Sequence, residues 1–259
     1  MKSICKIHMT SLMFYMILIL SGYINYLYFY LIIIFIHELG HIITIKLLKI
    51  KINSITIYPF GGVIDTNINY NINSNKYFLI SISGVIAQIL LFVVFNNYAN
   101  TSFLHLNLNI IIFNLIPVYP SDGNKVLTSI LERFISYKNV LVITNIISII
   151  SLFLLFIYSK NIFIFVILYY MNIKVILLFN YIFNKFILER YLYKNKYKKN
   201  NYVTSEKEFK KCRNNRIKYD NIYIEEEKYL DSKFGEIYWQ TKDCLVSSNM
   251  FVSIHYKPH

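Results

Sequence analysis

Charge is scarce in this chain: Asp, Glu, Lys and Arg make up 16% of its 259 residues, while 56% are hydrophobic. That balance lies outside the range of ordinary soluble domains and makes a membrane protein the first reading. Alanine occurs only at Ala87 and Ala99, and the apolar content comes from Ile, Leu, Phe and Tyr. This is a compositional bias without functional meaning. The three cysteines, Cys5, Cys212 and Cys244, stand far apart and form no CxxC pair, which excludes a zinc ribbon and a disulfide framework. Acidic residues number 14 against 27 Lys and Arg, a formal charge of +13. Most of the positive charge follows residue 184. A basic tail beside anionic lipid headgroups accounts for it, and no helix-turn-helix, finger or RNA-reading signature accompanies it. Direct nucleic-acid binding is therefore not expected.

What the chain does have is long apolar runs. A hydrocarbon core about 30 Å thick needs roughly 20 apolar residues per helix. Six passes are expected, near 9–24, 26–48, 76–97, 103–118, 139–158 and 160–184. Ser21, Gly22 and Asn25 mark the turn between the first two. Lysines and arginines set the orientation. Lys2 and Lys6 precede the first segment; Lys46, Lys49, Lys51 and Lys76 lie between the second and third; Lys125, Arg133 and Lys138 lie between the fourth and fifth. The opposite loop "NNYANTSFLHLN" carries no Lys or Arg, and the last outer turn has only Lys160. Both termini are thus expected in the cytosol, and no cleavable signal peptide is read at the N-terminus.

Residues 52–72 alternate apolar and polar on either side of Gly61-Gly62, which reads as a short β-hairpin at the cytosolic face. The fold class expected is therefore an α-helical membrane protein of about six spans with that hairpin and a small polar C-terminal region. Residues 1–189 form the membrane core and 190–259 the cytosolic region. Its apolar patches "IYW" and "FVSIHY" read either as short strands of a small domain or as parts of a loosely ordered tail, and Glu225 to Glu227 as a solvated face.

The chemistry sits in "FIHELGHII", residues 35–43. His37, Glu38 and His41 form HExxH; on a helix, residues four apart share one face, so two neutral imidazoles can reach one Zn²⁺. Glu38 beside them suits the base that takes a proton from the attacking water. Ionisable residues inside apolar helices are functional candidates by default because they are costly there. A catalytic zinc takes a third protein ligand and keeps one position open. Asp122, in "FNLIPVYPSDGNK" at 113–125, is the embedded carboxylate able to serve; Asp65 and Glu132, in polar or loop surroundings, are weaker candidates. Pro117 and Pro120 break the helix ahead of it. Irregular backbone at membrane depth is tolerated where it is buried in protein or lines a wet cavity. The second and fourth segments run the same way, so His41 and Asp122 reach similar depth near the cytosolic leaflet, His41 about 7.5 Å before Lys46 at 1.5 Å per residue.

These residues resemble the site-2 intramembrane metalloproteases. "HELGH" and "NLIPVYPSDG" carry the likeness, and "KIH" at 6–8, "YPFGGVID" at 58–65, "SGVIAQ" at 83–88 and "FILERYLYKN" at 186–195 are similar to its stage IV sporulation branch. The resemblance implies one zinc per chain held by His37, His41 and Asp122, with Glu38 as catalytic base. It implies that Pro59, Phe60, Gly61 and Gly62 help guide an extended substrate. Asn114 would contact substrate or hydrogen-bond the broken helix, and His8 would lie at the cytosolic mouth or be an interfacial residue. It implies regulated proteolysis of a membrane-associated protein, a mother-cell pro-sigma factor during sporulation, under the control of inhibitory membrane partners. Other readings are a site-2 protease acting on a membrane-anchored anti-sigma factor, a non-enzymatic membrane scaffold and, least favoured, a transporter. His105, His255 and His259 read as solvated.

Overall fold

The computed structural model describes residues 4–58, 61–66, 72–95, 100–159, 169–193 apart from 171 and 174, 197, 199–219 and 222–234. In chain order the elements are β1 (Ile4–Ile7), α1 (Met9–Leu20), α2 (Ile24–Leu47), β2 (Ile52–Tyr58), β3 (Gly61–Thr66), α3 (Ser74–Phe95), α4 (Thr101–Leu115), α5 (Asp122–Leu131), α6 (Tyr137–Ser159), α7 (Phe179–Tyr193), β4 (Asn200–Val203), β5 (Asn214–Tyr219) and β6 (Ile222–Glu225). Residues 226–234 add a final helix, α8.

Among the described residues, three helices are long and apolar enough to cross a membrane, Ile24–Leu47, Ser74–Phe95 and Tyr137–Ile157; α1 and α4 are shorter apolar helices. The sixth expected pass begins outside the described residues, at 160–168. Gly22, at φ +79°, makes the turn between α1 and α2, but Asn25 lies inside α2. α4 stops at Leu115 rather than at residue 118, because Ile116 precedes Pro117 and takes an extended conformation (φ −67°, ψ 132°) that spares the proline ring a clash.

The long helices pack through stripes at helical spacing. On α2 the buried stripe is Ile33, His37, His41 and Ile45, with Gly40 beside it; on α3 it includes Ser81, Gly84, Val85, Gln88 and Leu91. Four-residue spacing keeps each stripe on one face. A Cβ at Gly40 would lie 2.5 Å from the Ser83 carbonyl oxygen and 2.9 Å from Ala87 Cβ, so the α2 backbone packs directly on the backbone and a small side chain of α3 there. Small residues at such crossings let apolar helices approach closely in lipid, where hydrophobicity itself gives no drive to associate.

The hairpin expected over 52–72 is β2–β3, antiparallel, with Ile57 opposite Gly62 and Tyr58 opposite Gly61. It belongs to a three-stranded sheet in the order β1-β2-β3, because residues 4–7 pair parallel with residues 54–57. His8 follows β1, stacks on Tyr58 at 4.7 Å between ring centroids, and accepts from the Thr10 amide as N-cap of α1. The Ser11 hydroxyl donates to the Ile57 carbonyl at 2.8 Å, fastening the sheet to α1.

Beyond α7 a second three-stranded sheet has the order β4-β5-β6, parallel and then antiparallel. It shares one core with the helices: Tyr137, Phe183, Phe186 and Ile187 pack with Val203, Phe209, Ile217 and Leu230. The 189/190 boundary expected from composition falls inside α7. The "IYW" and "FVSIHY" patches lie outside the described residues. Glu226 is no solvated side chain: it accepts from the Arg190 guanidinium and from the Asn215 amide.

Candidate metal centre

Three side chains from two distant stretches meet in the core. His37 and His41, one turn apart on α2, bring their Nε2 atoms to 3.1 Å, and Asp122 Oδ2 lies 3.0 Å from the first and 2.9 Å from the second. All three residues are buried, and their ligand atoms lie within 4.8 Å of one another.

The outer contacts decide which atoms face inwards. His41 Nδ1 lies 2.7 Å from the Ile80 carbonyl, which only accepts, so that nitrogen carries the proton. His37 Nδ1 is 2.9 Å from Gln88 Oε1, an acceptor as well. Both Nε2 atoms are left as lone pairs pointing at each other and at a carboxylate oxygen. Three acceptors within about 3 Å repel unless a cation stands among them, and a hydrogen-bonded Nδ1–H behind each ligating imidazole is the usual support of a metal site. The residues present therefore fit a metal such as zinc.

Asp122 is delivered by the break after α4. The Tyr119 amide donates to Ser148 Oγ at 2.8 Å, Ser148 donates to Asn172 at 2.5 Å, and the Ser121 hydroxyl donates to the Ile116 carbonyl at 2.5 Å. α5 then starts on Asp122 itself, where the helix N-terminus favours an anion. Its other oxygen, Oδ1, accepts from Lys125 Nζ at 2.8 Å. Burial works against ionisation of Asp122, and the Lys125 ammonium beside Oδ1 favours the charged carboxylate. The centre thus keeps a negative charge for a cation.

Glu38 lies beside this cluster, half-buried, and its Oε1 accepts from the Gly62 amide at 2.6 Å. The start of β3 therefore sits on the carboxylate. Gly61 is its neighbour there; Pro59 and Phe60 lie outside the described residues. Asn114 is half-buried in the last turn of α4 and is not a member of the ligand cluster. Asp65 is exposed on β3, and Glu132 ends α5 away from the cluster, in an ion pair with Lys211. His8 and His105 are exposed; His255 and His259 lie outside the described residues. Sequence reasoning missed the roles of Gln88, Ser148 and Asn172. The signal available for Gln88 was an uncharged amide inside an otherwise apolar helix.

Comparison with known proteins agrees with the motifs. Residues 25–103, which include the two histidines and Glu38, match Peptidase family M50. The chain is 28% identical over 129 residues to stage IV sporulation protein FB of Bacillus subtilis, covering 46% of this chain and 45% of that one. It is 28% identical over 152 residues to a zinc metalloprotease of Methanocaldococcus jannaschii, covering 51% and 44% respectively. The matches span less than half the length of either relative. A solved site-2 protease from Methanocaldococcus jannaschii aligns with a TM-score of 0.49 and 25% identity over 65% of this chain and 88% of that one. Over residues 25–103 the chain is similar to the M50 peptidases.

Proposed function

We propose that this protein is an intramembrane zinc metalloendopeptidase that cuts a membrane-associated protein near the cytosolic face. The observation that carries the reading is the convergence of His37 Nε2, His41 Nε2 and Asp122 Oδ2 with Glu38 one residue from the first ligand. His37, His41 and Asp122 would hold one zinc, which when bound would polarise the scissile carbonyl and acidify water. Glu38 takes a proton from the attacking water. The water oxygen adds to the peptide carbon, the C–N bond breaks, and Glu38 returns the proton to the departing amine nitrogen. The Gly62 amide orients the Glu38 carboxylate through Oε1.

Residues 59–62 guide the substrate. β3 ends the sheet order β1-β2-β3, so an extended segment can add to its outer edge, and the same strand touches Glu38 at Gly62. Asn114 is assigned to the substrate path on family likeness. The membrane core spans 1–189, and 190–259 is a cytosolic regulatory region. Similarity to stage IV sporulation protein FB supports a role in sporulation; a pro-sigma factor as substrate and membrane proteins as its restraint are assigned on family likeness.

Glu38→Gln tests the reading. Cleavage of a co-expressed pro-sigma factor should fall roughly 10²- to 10⁴-fold, the range for loss of a general base, while the protein stays in the membrane and keeps its zinc. Cleavage at the wild-type rate would sink the proposal.

A further inference from the structure

Ten residues beyond Asp122, at the other end of α5, stands a second buried cluster that the chemistry above does not use. Glu132, the C-cap of α5, is 2% exposed, and Lys211, from the loop ahead of β5, is 3% exposed. Lys211 Nζ donates to both carboxylate oxygens, at 2.8 and 2.9 Å. Ser74, the first residue of α3, donates to Glu132 Oε2 at 3.0 Å. The ammonium lies 5.2 Å from the Tyr77 ring centroid and 5.7 Å from that of Tyr137.

The loop that carries Lys211 is itself held firmly. The Tyr137 amide at the start of α6 donates to the Phe209 carbonyl at 2.9 Å, and Phe209 is buried in the shared hydrophobic cluster. Arg190 of α7 donates to the Lys211 carbonyl at 2.9 Å and to the Arg213 carbonyl at 3.0 Å, and its guanidinium is clamped by Glu226. A continuous chain of contacts therefore runs from the polar C-terminal region through Lys211 and Glu132 into α5. A ten-residue helix is a rod of about 15 Å, so the end fixed by Glu132 helps set the end that presents Asp122. Removing one partner would leave the other charge buried and uncompensated, which a packed interior does not tolerate without movement.

We propose that Lys211 is a positioning residue for Asp122, acting through Glu132 and α5, so that the polar C-terminal region completes the geometry of the metal centre. The inference rests on the zinc reading of His37, His41 and Asp122. Lys211 touches neither substrate nor metal; it fixes the register of the helix that supplies the third ligand.

The test uses the full chain purified in detergent, with zinc and cobalt as probes. Zinc affinity is measured by competition with a chromophoric chelator, and the cobalt-substituted protein is read by its visible d–d bands, both on the folded fraction from gel filtration. Lys211→Met should weaken zinc binding roughly 10- to 100-fold, the range for lost support of a metal ligand, and should shift the cobalt bands. Exchanging the pair, Glu132→Lys with Lys211→Glu, should return both towards wild type. Arg216→Ala, in an outer pair with Glu225 at 3.9 Å, should change neither. Should Lys211→Met fail to fold, Glu132→Gln carries the test: it keeps an acceptor for Ser74 and Lys211, and its effect should have the same sign and be smaller. A wild-type protein that binds zinc, with wild-type affinity and cobalt bands in the folded variants, overturns this inference alone. A wild-type protein that binds no metal overturns the zinc reading and the inference with it.

Discussion

At the scale of single residues, the metal centre depends on atoms that never touch the metal. Gln88 is fully buried on α3 and accepts from His37 Nδ1; Asn107 on α4 donates to the Gln88 carbonyl at 3.2 Å. Gln88→Leu removes that acceptor while filling much of the same volume. Zinc affinity should fall roughly 10- to 100-fold, measured by chelator competition. Gly84 gives a second prediction. A Cβ there would lie 2.4 Å from His41 Nε2 and 2.7 Å from His37 Cε1, both on rings already anchored at Nδ1. Gly84→Ala should therefore displace the ligand atoms and abolish stoichiometric zinc binding, read by metal analysis, with the helices intact by circular dichroism. The meeting of His37, His41 and Asp122 was legible in the sequence because HExxH has a fixed helical geometry and because one carboxylate stood beside a proline-broken apolar helix. Gln88 was not, since a lone amide in an apolar helix does not say which neighbour it faces.

Among elements, the α2–α3 contact matters most to the centre, because α2 carries both histidines and α3 carries Gln88 and the Ile80 carbonyl behind them. At Gly40 the two helices pack tightly, and the atom opposite is a backbone carbonyl that cannot swing away. Gly40→Ala should cost about 1–3 kcal/mol as an overpacked contact. It should appear as a lower midpoint of thermal unfolding in detergent and, because both outer contacts shift, as weaker zinc binding. α1 to α4, α6 and the β2–β3 hairpin were readable from long apolar runs and from alternation around Gly61-Gly62. β1 was not: "ICKI" is four residues long, and its partner strand lies some 50 residues away. The second sheet escaped for a related reason. β4 and β6 are also four residues long, and β4–β5 is a parallel pair that local alternation cannot announce.

For the whole molecule, the positive charge makes a prediction about sides. Lys6, Lys46, Lys49 and Lys51 surround β1 and β2, and Lys125, Arg133 and Lys138 surround α5, whereas Asn100 stands at the opposite end of α3 and α4. By the charge rule the first group faces the cytosol and Asn100 faces away from it. Cys5, in β1, and Cys212, beside Lys211, belong with the cytosolic group, and so does Cys244 in the C-terminal region. The charge rule thus predicts all three cysteines on one side. In intact cells a membrane-impermeant maleimide should leave the wild-type protein unlabelled and should label it after permeabilisation with detergent. Asn100→Cys, at an exposed helix cap, should be labelled without permeabilisation. The opposite pattern would invert the orientation and move the metal centre to the other leaflet. Substrates cut there would then be released away from the cytosol, so the same labelling result also decides which compartment can supply the substrate.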